Sequence, residues 1–208
     1  MSAFSTIGLR SCYWAGVLQT DGSIRRTSER LQSRITLQLK ESDKAHVIKF
    51  AEFIGFKYPV RWVSNHGYGA WRVDMYRVEA HLDALRDNFG VETDKGSRFQ
   101  DPHLTGDNRL AFLAGMIDGD GSVVWQDGHP LAVQLFGPLA LIQWSRALVD
   151  EIVPPIRANR VKALPSKLKN GFITRIQGKR AVKLVEIITQ YDLPILQRKW
   201  FQDMKAAA

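Results

Sequence analysis

The 208-residue chain has one cysteine, five histidines and no apolar run longer than the eight residues 110–117. A lone cysteine, Cys12, excludes an intramolecular disulfide framework and suits a reducing compartment. It stands just ahead of an apolar helix and reads as a packing residue. A membrane span takes about 20 apolar residues, far more than any run here. The N-terminus carries no basic segment followed by a long apolar one, so no secretory signal is read. These absences predict an intracellular protein without a membrane partner, in a prokaryotic cytoplasm or an organelle matrix. Histidine and cysteine do not cluster, and no glycine loop of the phosphate-cradling kind is present. A further absence is local: no acidic residue falls between Glu151 and Glu186.

What fills that gap is basic: Arg157, Arg160, Lys162, Lys167, Lys169, Arg175, Lys179, Arg180 and Lys183. Such a one-sided stretch repels itself unless an anion lies against it. The whole chain carries a formal charge of +8 and a pI of about 9.7, which favours a polyanionic partner, nucleic acid first. Hydrophobic residues at 45% and charged residues at 24% exclude disorder and allow a real core.

The chain also repeats itself at a period near one hundred residues. The run from Trp14 through Gly16, Val17, Leu18, Gln19, Thr20 and Asp21 to Ser23 answers the run from Leu113 through Gly115, Met116, Ile117, Asp118, Gly119 and Asp120 to Ser122. Thr36-Leu37-Gln38-Leu39-Lys40 answers Ala132-Val133-Gln134-Leu135-Phe136, each followed by a helical stretch, 43–54 and 139–152. Pro59-Val60-Arg61 answers Pro155-Ile156-Arg157. Net charge is shared equally, with 15 basic against 11 acidic residues through position 100 and 14 against 10 after it. Two copies of one unit are expected, 1–92 and 107–208, joined by a linker over 93–106.

Within a unit, the first helix covers roughly 11–20 or 108–119 and stops at Asp-Gly. Arg34, Thr36, Gln38 and Lys40 alternate with Ile35, Leu37 and Leu39, which is the period of a half-buried antiparallel strand. Residues 71–77 alternate likewise, and 78–88 form a closing amphipathic helix. The second unit repeats the plan with a longer basic hairpin around 162–169. The fold class is therefore α+β, with two αββαββα units. A seven-residue strand extends about 23 Å, enough to follow some seven base pairs, and β-ribbons fit the major groove.

The chemistry is expected where the copies agree most closely. Gly16 with Thr20, and Gly115 with Gly119, are small residues four apart, so each helix has a flat strip where another backbone can approach. Each strip ends in an acid, Asp21 or Asp120. If the helices pack in parallel, both carboxylates emerge together beside two negative helix ends, an arrangement that divalent cations relieve. Mg²⁺ prefers such hard oxygen ligands with retained water. Metal held there would neutralise phosphate, lower the pKa of an attacking water and stabilise a leaving 3′ oxygen. Gly119 to Ser122 is too short for a calcium loop of the EF-hand kind.

Leu-Ala-Gly-Met-Ile-Asp-Gly-Asp-Gly at 113–121 is a near-complete LAGLIDADG motif, and 14–22 is a degraded one. The chain resembles, over almost its whole length, a single-chain LAGLIDADG homing endonuclease with two motifs. The resemblance implies two αββαββα units packed through the motif helices and a DNA-binding saddle made by both sheets. It further implies Mg²⁺-dependent cutting of both strands of a long, near-palindromic or asymmetric target by a monomer. Two or three divalent ions would serve, with Mn²⁺ substituting. It places the metal-binding acids on Asp21 and Asp120, and active-site polar residues on Gln38, Gln134, Lys95 and Lys199. Arg198 and Arg98 are alternatives for the lysine. The sixth motif position, often acidic in the family, is Gln19 in one copy and Asp118 in the other.

Candidate DNA contacts are Arg25, Arg26, Arg34, Thr36, Gln38, Lys40, Arg61, Arg72 and Tyr76 in the first unit. In the second they are Gln134, Arg157, Asn159, Lys162, Lys167, Lys169, Arg175, Gln177 and Lys179. Two other functions fit the same fold: a maturase binding intron RNA, and a DNA-binding protein that has lost its nuclease activity. An acid at both eighth positions weighs against the second, because a pure binder gains nothing from negative charge beside phosphates.

Overall fold

The computed structural model describes residues 2–26, 33–65, 68–92, 99–155, 164–165 and 171–201. At the centre lie two helices, α1 (Leu9–Thr20) and α4 (Asp107–Asp120). Both are buried on nearly every face, Ser11 to Gln19 in α1 and Leu110 to Asp118 in α4. A helix apolar all round is the kind that must be enclosed by its neighbours, which explains why neither shows an amphipathic stripe.

Each central helix leads into a four-stranded antiparallel sheet. The first contains β1 (Ser23–Arg25), β2 (Arg34–Lys40), β3 (Arg61–Asn65) and β4 (Tyr68–Tyr76), in the order β1-β2-β4-β3. The second contains β5 (Gly121–Gln126), β6 (His129–Gly137), β7 (Leu164–Pro165) and β8 (Phe172–Gln177), in the equivalent order β5-β6-β8-β7. Helices α2 (Lys44–Phe53) and α3 (Glu79–Phe89) complete the first unit; α5 (Leu139–Ile152) and α6 (Lys179–Thr189) complete the second. A short α7 (Gln197–Trp200) follows. The αββαββα order expected from the repeat is thus present in both copies.

The alternation in β2 is realised: Ile35, Leu37 and Leu39 are buried in a core shared with Val47 and Phe50 of α2 and Leu85 of α3. Arg34, Gln38 and Lys40 face the other way, in register with Tyr76, Arg72 and Ala70. Helix α3 ends at Gly90, whose φ of 63° needs no Cβ; its N–H donates to Arg86, and Val91 N–H to Leu85, an αL cap. No helix among the described residues is long and apolar enough to cross a membrane.

Candidate active site

The two central helices run parallel, as successive contacts show. A Cβ on Gly16 would collide with the carbonyl of Phe112, and one on Gly115 with the carbonyl of Tyr13. Further along, a Cβ on Gly119 would collide with the Thr20 hydroxyl and come within 3.3 Å of the Asp21 nitrogen. Glycine at 16 and 115 therefore lets backbone touch backbone, and the two helices reach their C-terminal ends together. Asp21 is the C-cap of α1 and Asp120 the last residue of α4. The first is half-buried and the second exposed.

The glycines after these acids do a different job from the one expected. Neither terminates its helix through a left-handed cap: Gly121 is extended, at φ −106° and ψ 178°, and Gly22 is not among the positive-φ residues. A Cβ on Gly22 would lie 2.7 Å from Leu18 Cα, and one on Gly121 would lie 2.6 Å from Ile117 Cα. Each glycine lets the chain double back tightly onto its own helix and enter β1 or β5 beside the acid.

Lys199 and Asp118 dominate the ground beneath Asp120. The Lys199 ammonium lies on the carbonyl oxygens of Ile117 at 3.0 Å, Asp118 at 2.6 Å, Gly119 at 3.1 Å and Gly121 at 2.9 Å. It caps the negative end of α4 and grips the peptides on both sides of Asp120. Expected as an active-site polar residue, Lys199 here commits its protons to backbone, because its stem is long enough to reach the unpaired carbonyls that end every helix. Burial lowers its pKa, against the opposing charge of Asp118. Arg198, the alternative, is held bidentately by Asp43 at 2.6 Å on both oxygens.

Asp118 is fully enclosed. It accepts hydrogen bonds from the Tyr13 hydroxyl at 2.6 Å, the Leu196 N–H at 2.8 Å and the Trp200 indole at 2.7 Å. Burial raises its pKa, with Lys199 and these donors acting the other way. Tyr13 has one proton and gives it to the carboxylate, so His46, 3.0 Å from the same hydroxyl, must donate from Nε2. Its Nδ1 is then a buried acceptor, and it has no hydrogen-bond partner among the described residues. Burial, reinforced by Lys49, depresses the pKa of His46 to about 3. Tyr13, His46, Asp43 and Trp200 were missed in the sequence because their partners lie far off along the chain.

The outward sheet faces carry the candidate contacts. In the first, the exposed Arg25 pairs with the half-buried Arg34, and Arg34 with the exposed Tyr76, forming a row away from the acids. Arg26 instead reaches Asp83 on α3 at 2.7 Å. Thr36, expected to meet DNA, is 6% exposed, and its hydroxyl donates to Asp74 at 2.7 Å. Arg61 and Arg72 converge on the same carboxylate at 2.8 Å and 2.7 Å. The middle of this sheet thus satisfies itself, while Gln38 and Lys40 lie nearer the acids.

Strand register also redraws one equivalence. Ser122 stands opposite Gln134, and Ser23 stands opposite Thr36 rather than Gln38. Thr36, not Gln38, is the positional counterpart of Gln134, because the two hairpins differ in length: β5 and β6 meet at Asp127–Gly128, whereas β1 and β2 are separated by residues 26–33. Gln134 nonetheless lies against the site, its carbonyl 2.7 Å from where a Gly121 Cβ would be. Opposite it on β8 is Arg175, exposed like Gln177 and Lys179. Lys95, Arg98, Arg157, Asn159, Lys162, Lys167 and Lys169 lie outside the described residues.

A metal fits the chemistry of this pair. Asp21 and Asp120 offer hard carboxylate oxygens at abutting helix C-termini, and no group of three or more His, Cys, Asp or Glu able to hold a metal is found among the described residues. A bound cation would keep positions for water and phosphate oxygen, the coordination that Mg²⁺ favours.

No family model matches the sequence, and no curated protein sequence does. Solved structures do match. I-DmoI in complex with DNA and calcium aligns with 90% of this chain and 93% of its own at 12% identity, with a TM-score of 0.60. An I-SmaMI variant with one lysine replaced by alanine aligns with 88% of this chain and 85% of its own at 10% identity and TM-score 0.57. An I-DmoI variant, bound to target DNA nicked in the coding strand in the presence of manganese, aligns with 88% and 96% at 14% identity and TM-score 0.57. With parallel motif helices, paired terminal acids and twin four-stranded sheets, the chain has the fold of the LAGLIDADG homing endonucleases.

Proposed function

We propose that the protein is a divalent-metal-dependent endonuclease that cuts both strands of a long duplex DNA site as a monomer. The observation that carries this reading is the close approach of α1 and α4, one from each unit, at the C-terminal ends where Asp21 and Asp120 stand. Solved proteins of this fold hold DNA with calcium or manganese. Mg²⁺ is the physiological ion we propose, with Mn²⁺ substituting.

The outward faces would hold the duplex, with Arg25, Arg34, Lys40, Arg175 and Gln177 against phosphates and base edges. Asp21 and Asp120 would fix the cation positions, each acid serving one strand, since the strands are related by the same two-fold as the units. The bound ions would supply charge neutralisation and a more acidic attacking water. Gln134, beside Asp120, would orient solvent or phosphate on its strand. Lys199 would keep the peptide around Asp120 rigid, so the carboxylate does not swing as the phosphate approaches.

The test is incubation with a randomised duplex library in Mg²⁺, Mn²⁺ and Ca²⁺. Double-strand cuts at one sequence are expected with Mg²⁺ or Mn²⁺. Asp21→Asn and Asp120→Asn should each reduce cutting by about 10²-fold or more, while affinity in Ca²⁺ is kept. Normal cutting by either variant would remove the site assignment.

A further inference from the structure

The helices α1 and α4 are related by the pseudo-two-fold axis, yet their inner faces differ in chemistry. Tyr13 and Phe112 occupy matching places, each eight residues before its terminal acid, and Gln19 and Asp118 match likewise. On one diagonal Tyr13 donates to Asp118 across the helix pair at 2.6 Å. On the other diagonal Phe112 has no hydroxyl to offer Gln19. The Asp118 carboxylate also takes the Leu196 N–H and the Trp200 indole, at 2.8 Å and 2.7 Å. Those two residues bracket Lys199, whose ammonium holds the carbonyls of Gly119 and Gly121 on either side of Asp120. One chain of contacts thus runs from α1 of the first unit, through a buried carboxylate, to the segment that grips the second unit's acid. Its outer end is tied to the first unit again, where Arg198 binds Asp43.

We infer that Tyr13 and Asp118 are positioning residues for the strand served by Asp120. They set where Lys199 sits and, through it, the carbonyls around that acid. The inference rests on the endonuclease reading but makes a claim of its own: disturbing this chain of contacts affects the two strands unequally. A merely structural role would weaken both alike.

The variant of choice is Tyr13→Phe, which copies the residue the protein itself uses at the matching place. The duplex cut by the wild type, labelled separately on each strand, is followed under single-turnover conditions in Mn²⁺. Loss of groups that orient a metal ligand reduces activity or metal affinity by about ten- to a hundredfold. The expected result is one strand slowed by about tenfold and the other changed by less than about twofold. Trp200→Phe, which removes the second side-chain donor to Asp118, should slow the same strand. A readout independent of cutting is Tb³⁺ luminescence titration of the free protein, where Tyr13→Phe should weaken one binding step and leave the other. Equal slowing of both strands, or equal weakening of both binding steps, overturns the inference, as does no change in either measurement. Should the wild type cut nothing, the endonuclease reading fails, and the Tb³⁺ titration still decides the positioning role.

Discussion

Single residues set the tolerances of this molecule. Gly16 and Gly115 stand where any Cβ would enter a carbonyl of the facing helix, so Gly115→Ala must push the helices apart. Overpacking of this kind costs about 1–3 kcal/mol and occasionally more, and chemical denaturation of Gly115→Ala should show at least that loss. A second consequence concerns His46, which is buried, neutral and held to Tyr13. In the unfolded chain it takes a proton at about 6.5, in the folded protein only near 3. Between these values the unfolded chain binds the extra proton, so stability falls as pH is lowered through this window. The slope contributed by one group is about 1.4 kcal/mol per pH unit. Melting temperatures between pH 7 and pH 5 should therefore decline for the wild type and flatten in His46→Gln.

At the scale of elements, sheet one and sheet two are built alike but charged differently. Asp74, at 2% side-chain exposure, draws Arg61, Arg72 and Thr36 inward, whereas the position matching it on β8 is the exposed Arg175. Removing the charge in Asp74→Asn should cost about 1–3 kcal/mol of stability through lost charged hydrogen bonds. It should also free two guanidinium groups and tighten DNA binding at low salt. The logarithm of affinity should then fall more steeply with that of salt, by about 0.9 for each phosphate gained. Anisotropy titrations across salt concentrations read this, and an unchanged slope would place Arg61 and Arg72 away from DNA.

The elements themselves were legible, because β2 alternates without a fault and the motif helices are bounded by Asp-Gly. The placement of Asp21 and Asp120 at the helix ends was legible for the same reason: they sit at a fixed distance from the glycines that bring the helices together. Register was not. The loop between β1 and β2 differs in length from the turn at Asp127–Gly128, so matching glutamine to glutamine by sequence slipped the first strand by two residues. Nor was the work of Lys199, since a lysine capping a helix end is indistinguishable in sequence from one in water. The Asp118 cluster joins residues 13, 46, 118 and 200, and only the packed helix pair brings these together.

For the whole molecule, two similar halves share one core and one seam. Binding to DNA should weaken steeply with added salt, as expected of a protein with a charge of +8 and outward arginines on both sheets. A flat dependence would argue against the sheets as the docking face. The seam also has a direction. At its far end the Thr20 hydroxyl fills the hollow left by Gly119, and bonds to the carbonyls of Gly16 and Val17 at 3.2 Å each.

Two first halves set together would place threonine on threonine there and leave Tyr13 without its acid. The two halves are thus lock and key, not interchangeable. Chimeras that graft one half onto a relative's partner, the obvious route to new target preferences, must carry Thr20 with Gly119 and Tyr13 with Asp118 as matched sets.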